Sequence, residues 1–435
     1  MRIKVHAMYP TIIVHACVTA LLLCAFGARA DVGATVGELI ENQHRILVLR
    51  EAANQWDRAE ARRAGQYLFF RNQELGRKLV EQITSSAQEM PARYREMTGV
   101  LDDPAYSGED RLIFRSPLEA LSRKLPPNER RDATRRLERL ADLRKVLGAD
   151  FGYGFRRVPL KSVPPHAAQW AAYVSRIAKT TTARQILEEL DHELLAAPEP
   201  AGDLTGAAAR ARVLEWDGEE LPERTVLLTF DDGPHSGYTP AVLDILRDQG
   251  VRAVFFQIGQ NLGDVSRGAA TPGHNQPIVS RLLVEGHAVG NHSYTHPVLT
   301  KLSRRNIARE IADTQALIEA MVPVGQGRTG GFRPPYGARD DKVLAQIDLH
   351  HLRSMVWNID SEDWADPLPE SIADRVVREA EKAGRGIVLM HDIHARTVEA
   401  LPIVIRELRK RGFQFAWWNG EKLVVDADSG TLAPR

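Results

Sequence analysis

Two adjacent carboxylates, Asp231 and Asp232, stand where an apolar β-forming run, Thr225 to Phe230, stops at Gly233-Pro234. Neighbours on a strand face opposite ways, so both can serve one site only where the strand ends and its geometry loosens. Gly-Pro supplies that irregularity, although Asp-Asp-Gly-Pro is also a common surface turn. Further along, His292 and His296 sit four apart within Glu285-Gly-His-Ala-Val-Gly-Asn-His-Ser-Tyr-Thr-His-Pro297. That spacing presents two imidazoles to one point from a single helical turn, as a Zn²⁺-like ion requires, but histidines also cap and pack. Arg333 lies in Gly331-Phe-Arg-Pro-Pro-Tyr-Gly337, where two prolines hold the loop extended and leave the arginine little freedom. Asp363 follows in Asp360-Ser-Glu-Asp-Trp364, and His391 in Leu389-Met-His-Asp392. Together these groups offer carboxylates, a ligand pair for a metal, a guanidinium and a titratable imidazole.

The elements that must position them begin after Glu220, where short apolar runs alternate with amphipathic helices. This is the pattern of βα units forming a parallel sheet or barrel. Strands are expected near 225–230, 253–258, 287–290, 331–333, 352–360, 386–390 and 414–417, with helices starting near Thr239, Gln276, Ser303, Arg339, Pro369 and Thr397. About seven strands suit one distorted α/β barrel, whose site belongs at the C-terminal strand ends. Every polar cluster above falls at such an end.

Residues 31–200 read as an all-α helical domain. From Gly37 to about Met90 apolar residues such as Leu68, Leu75, Leu79 and Ile83 recur at helical intervals, giving one or two long helices. Asn128 is expected to cap another carrying Leu140, Leu143 and Leu147, and further helices are expected at 167–179 and 182–197. This half shows no metal cluster, phosphate loop or nucleophile motif. Three roles stay open for it: binding a partner protein in the cell envelope, holding substrate, or packing. Residues 201–219 read as a linker, 220–425 as the second domain and 426–435 as a tail.

Residues 1–30 have the basic start, apolar core and Ala28-Arg-Ala30 end of a secretory signal peptide, which predicts a soluble chain that is periplasmic or secreted. Both cysteines, Cys17 and Cys24, lie inside it, so the mature chain would hold neither disulfides nor thiolate ligands. With 57 basic and 57 acidic residues there is no net field to draw nucleic acid or anionic membrane.

Taken in order, Thr-Phe-Asp-Asp, His-Ser-x-x-His-Pro, Arg-Pro-Pro-Tyr-Gly, Asp-x-x-Asp-Trp and Leu-x-His-Asp resemble the polysaccharide deacetylase family, the NodB-homology carbohydrate esterases. The resemblance covers about Glu220 to Val425. It implies that Asp232, His292 and His296 hold a divalent metal, zinc by preference, and that Asp231 is a general base paired with Arg333. It also implies that the backbone N–H of Tyr336 helps hold the oxygen of a tetrahedral intermediate. His391, oriented by Asp363, would protonate the departing amine. The implied substrate is an N-acetylglucosamine-containing polysaccharide. An O-acetyl esterase acting on acetylated xylan or a similar polymer, and an inactive carbohydrate-binding or envelope assembly protein, stand as alternatives. Two features fall outside the family pattern: the helical half, and Gly263 to Gly273, which reads as a mobile rim. Trp364, Trp417 and Trp418 are either sugar-stacking or buried.

Overall fold

The computed structural model describes residues 31–52, 58–148, 165–194, 215–266, 268–322, 329, 331–420 and 422–425. The expected leader (1–30), the larger part of the expected linker (201–214) and the tail (426–435) lie outside them. The chain opens with helices α1 (Val32–Ala52), α2 (Arg58–Thr84), α3 (Met90–Leu101), α4 (Arg115–Ser122), α5 (Pro127–Gly148), α6 (Pro165–Ile177) and α7 (Ala183–Leu194). The long periodic stretch is thus two helices, α1 and α2, whose apolar stripes meet: Leu39 and Ile40 share a core with Leu75, Leu79 and Ile83. Pro127 opens α5, where its missing N–H leaves no intrahelical bond unmade, so Asn128 sits in the first turn and does not cap it. Among the described residues no helix is long and apolar enough to cross a membrane.

The second part alternates strands β1 (Thr225–Gly233), β2 (Val254–Gln257), β3 (Gly263–Ser266), β4 (Ala269–Pro272), β5 (Ala288–Asn291), β6 (Gly331–Phe332), β7 (Arg353–Ser354), β8 (Ile359–Asp360), β9 (Gly386–His391), β10 (Gln414–Trp418) and β11 (Leu423–Val425) with helices. These are α8 (Tyr238–Gln249), the single turn α9 (Gly259–Leu262), α10 (Gln276–Val284), α11 (Arg304–Met321), α12 (Asp341–Leu349), α13 (Pro369–Ala383) and α14 (Ala395–Lys410). Seven strands run parallel in the order β8-β9-β1-β2-β5-β6-β7, while β10 pairs in parallel with the start of β1 and β11 runs antiparallel to β10.

This sheet must curl. Only residues 355–358 separate β7 from β8, which lie at its two ends. That connection reaches at most about 18 Å, whereas a flat seven-strand sheet would be about 29 Å wide. The result is an open, distorted half-barrel. The expected single strand over 352–360 is therefore two, because Met355 and Val356 turn their carbonyls to the Arg333 side chain inside the curl. Within Gly263 to Gly273, expected as a mobile rim, β3 and β4 pair antiparallel. Gly263 is required there: the carbonyl of Thr271 occupies the place a Cβ would take.

The period of two along β1 sorts its side chains. Val226, Leu228 and Phe230 join the apolar layer beneath α8, α13 and α14. Leu227, Thr229 and Asp231 face the interior of the curl, where Leu227 packs with Val254, Phe256 and Ile387. Helix starts follow their caps, with Ser303 accepting the Asn306 N–H and Asp340 that of Val343.

Candidate active site

Asp231 faces inward by strand alternation, and its neighbour would face the helices if β1 continued regularly. It does not. Asp232 has φ 71°, and the register against β2 slips between Asp231 and Gly233, so that both carboxylates reach the same side. The side-chain amide of Asn261 donates to the Asp232 carbonyl (2.9 Å) and holds the bent backbone.

His292 and His296 also converge, but not on a helical turn. Residues 292–297 form a loop in which Ser293 (φ 65°) and His296 (φ 58°) adopt left-handed conformations. Ser293 Oγ accepts the His296 N–H (3.1 Å), and Glu310 accepts the N–H groups of Tyr294 and Thr295 (both 2.8 Å). The four-residue spacing is right, while its geometric cause is a clamped loop.

The hydrogen bonds around the two imidazoles settle what this loop and β1 can hold. His292 Nδ1–H donates to the Arg333 carbonyl (2.6 Å). The Tyr336 hydroxyl donates to the His296 carbonyl (3.3 Å), so its oxygen accepts from His296 Nδ1–H (3.1 Å). Each Nε2 is left with its lone pair, and the two lie 3.2 Å apart. Asp232 Oδ1 stands 3.4 and 3.3 Å from them, is buried, and has no protein donor. Lone pairs at such separations repel unless a cation sits among them. The three side chains offer ligand atoms within 4.8 Å of one another, and could hold a metal ion. Burial, opposed by Asp232, lowers His296 to about 3, keeping its imidazole in the neutral, ligating form.

Arg333 fills the curl between β1 and the broken β7–β8 connection, with no exposed surface. Its Nη1 donates to Thr229 Oγ1 and to Asp231 Oδ1 (2.7 Å each), Nε to the Met355 carbonyl (3.0 Å) and Nη2 to that of Val356 (3.2 Å). The guanidinium carbon lies 4.2 Å from the centre of the Phe256 ring. A buried charge is tolerable only with such a complete set of partners. Asp231 Oδ2 remains on the site side, 3.6 Å from His292 Nε2.

Across the cleft, His391 ends β9, paired in register with Asp231. Its Nδ1–H donates to Asp363 Oδ1 (2.6 Å), while Asp363 Oδ2 accepts from the His391 N–H (2.8 Å) and from Thr397 Oγ1 (2.6 Å). Burial works against a charged imidazole, but the Asp363 carboxylate overrides it and raises His391 to about 10. Asp363 itself is lowered to about 2 by His391 and Thr397, against burial. The free Nε2 edge of a protonated His391 is therefore a proton donor at the pocket that Asp231, Asp232, His292 and His296 also line.

Of the eight residues singled out in the sequence, Asp231, Asp232, His292, His296, Tyr336 and His391 line one cavity, while Arg333 and Asp363 stand behind it, bonded to Asp231 and His391. The matches to known proteins fall on the same part of the chain. The sequence model of the polysaccharide deacetylase family matches residues 218–355. The chitooligosaccharide deacetylase of Azorhizobium caulinodans is 32% identical over 206 residues, covering 44% of this chain and 91% of that protein. The chain belongs to the polysaccharide deacetylase family. Another relative in this family is the peptidoglycan-N-acetylglucosamine deacetylase PgdA of Listeria monocytogenes, 36% identical over 209 residues. That match covers 46% of this chain and 40% of the longer Listeria protein, so the chain spans less than half of that relative's length. A solved family 4 carbohydrate esterase from Streptomyces lividans is 34% identical, covers 43% of this chain and 90% of its own, and superposes with a TM-score of 0.38.

Several groups around the site were assigned no role from the sequence. Thr229 and Thr397 act through Arg333 and Asp363, and a threonine in a strand or a helix start looks ordinary. Gln66, Phe69 and Phe70 of α2 also line the cavity, although the helical half carries no motif. The Tyr336 hydroxyl also enters, accepting from His296 Nδ1–H. Of the three tryptophans offered for sugar stacking, Trp364 is 1% exposed and Trp418 7%, and Trp417 is covered by the Arg252 guanidinium at 3.4 Å. They pack and do not face the cavity.

Proposed function

We propose that this chain is an exported, metal-dependent deacetylase that removes N-acetyl groups from an N-acetylglucosamine-containing polysaccharide. The observation that carries the reading is the pairing, around one small cavity, of a donor-poor Asp232-His292-His296 set with a carboxylate on one side and a protonated imidazole on the other. The names of the relatives, which act on peptidoglycan and chitooligosaccharides, support the substrate class.

Asp232, His292 and His296 would hold the metal; two imidazoles and one carboxylate suit zinc. When bound, the ion would polarise the amide carbonyl and acidify a water molecule. Asp231 would take a proton from the attacking water through Oδ2, while Arg333 grips Oδ1 and fixes the carboxylate plane. The carbonyl oxygen develops negative charge as water adds, and the Tyr336 N–H is assigned to face it. His391 then delivers its Nε2 proton to the departing nitrogen, and the Asp363 carboxylate stabilises the charged form until that moment. The products are a free amino sugar and acetate.

Acetate release from chitin oligomers, poly-N-acetylglucosamine, peptidoglycan and acetylxylan, before and after metal removal, tests the reading. Release from the first three that disappears on stripping and returns with zinc is expected. Release from acetylxylan alone would reassign the chain to O-acetyl ester hydrolysis.

A further inference from the structure

The cavity above the Asp232-His292-His296 set has a volume of about 20 Å³. That admits roughly one water molecule, and no sugar ring. What closes it is α2, from the helical half. The Phe70 ring stacks on His296 with centroids 4.4 Å apart at 25°, and Phe69 lies 6.0 Å from His391 and 5.0 Å from His394. Gln66, one turn back, completes the wall. A polymer crossing the strand ends would have to occupy the space these side chains fill.

The contact is built into the fold. Gly65 lies against Trp364 so closely that an added Cβ would sit 2.7 Å from the indole, and Phe69 shares an apolar cluster with Trp364, Ala365 and Leu368. Polar links surround this patch. Arg50 pairs with Glu362 (3.0 Å) and Asp366 (3.4 Å). On the other flank Glu399 of α14 accepts from Arg115 (2.7 Å) and Arg144 (2.6 Å), and the Tyr238 hydroxyl is bonded to Glu119. A seam part apolar and part ionic is the kind on which one unit shifts against another.

We infer that the helical half is an autoinhibitory gate: α2 plugs the catalytic cavity with Phe70, and polysaccharide enters only when the helical layer withdraws along this seam. The gate rests on the deacetylase reading of the site beneath it. In such a scheme the apparent substrate affinity is reduced by the fraction of open molecules. Loosening the seam therefore lowers KM and leaves kcat and its pH profile in place. It also exposes the buried metal ligands.

Two variants of the full chain test this. Glu399→Arg sets a third cation against Arg115 and Arg144, away from the cavity, and Phe70→Ala removes the plug while keeping the ion pairs. Each is loaded with zinc, and the rate of zinc loss to a bulky chelator is followed alongside acetate release from chitin oligomers. Zinc loss should accelerate about tenfold or more in both, with KM falling by a similar factor in Glu399→Arg. Zinc loss at the parent rate in both variants, with helix content by circular dichroism unchanged, would overturn the gate. Faster zinc loss with no acetate released from any substrate, by parent or variant, would leave the gate standing and remove the deacetylase reading.

Discussion

Replacing Asp363 with asparagine takes away the negative charge that sustains the proposed acid and leaves its shape. In the protein His391 is raised to about 10, against burial, by this carboxylate at 2.6 Å. Without the charge its pKa returns to the ordinary value of about 6.5 or below. The group acts as an acid only while protonated, so activity is retained below its pKa and lost as pH rises through it. At pH 8 the protonated fraction falls from ~99% to ~3%, about a thirtyfold loss, whereas at pH 6 it falls only to ~76%. The parent-to-variant ratio of kcat should thus climb from near one at pH 6 to about thirty at pH 8, on top of any constant loss from misorientation. Initial rates of acetate release at saturating substrate between pH 5.5 and 9 provide the assay. A ratio that is flat across this range would show that Asp363 only holds the ring in place. No loss at any pH would remove His391 from the chemistry.

Three further outcomes follow from the geometry. His296→Ala leaves two protein ligands and should lose most of its zinc on dialysis, measured by elemental analysis; parental zinc content would contradict the three-ligand set. Arg333→Met strands the Asp231 carboxylate in the curl and should cost about 3–5 kcal/mol in urea denaturation; a change under about 1 kcal/mol would mean the guanidinium is not the keystone of the half-barrel. The exported protein should begin at Asp31 and keep its activity in strong thiol reductant, checked by N-terminal sequencing; a mature chain retaining Cys17 or Cys24 would contradict the export argument.

The site was legible from the sequence because its residues sit at strand ends, where an apolar run breaks into polar residues and turn signals. That logic brought Asp231, Asp232, His391 and Asp363 to one end of the sheet, while their roles came only from the resemblance of the ordered motifs. The cause of convergence was less legible. Nothing local separates a helical turn from the loop that gives Ser293 and His296 positive φ, since Glu310 and the Tyr336 hydroxyl, distant in sequence, impose it. The break between β7 and β8 was hidden for the same reason: Arg333 takes the Met355 and Val356 carbonyls across the curl. The helical half was least legible, because an amphipathic stripe announces burial without naming the surface that buries it. Phe69 and Phe70 read as packing residues, and they do pack, but against the catalytic cavity.

The adjacent carboxylates give the most direct test of the whole account. Asp231→Asn and Asp232→Asn are one residue apart and chemically identical, yet Asp231 faces Arg333 and Asp232 faces the two Nε2 atoms. Zinc content and acetate release should be measured side by side on both purified variants. Asp231→Asn is expected to retain zinc and lose about 10²–10⁴ in rate, the range typical of a positioned proton transfer. Asp232→Asn should lose zinc and activity together, since an amide is a far poorer ligand than a carboxylate. Equal zinc retention with equal residual activity would mean that the pair is only a turn, and would contradict the assignment of this site.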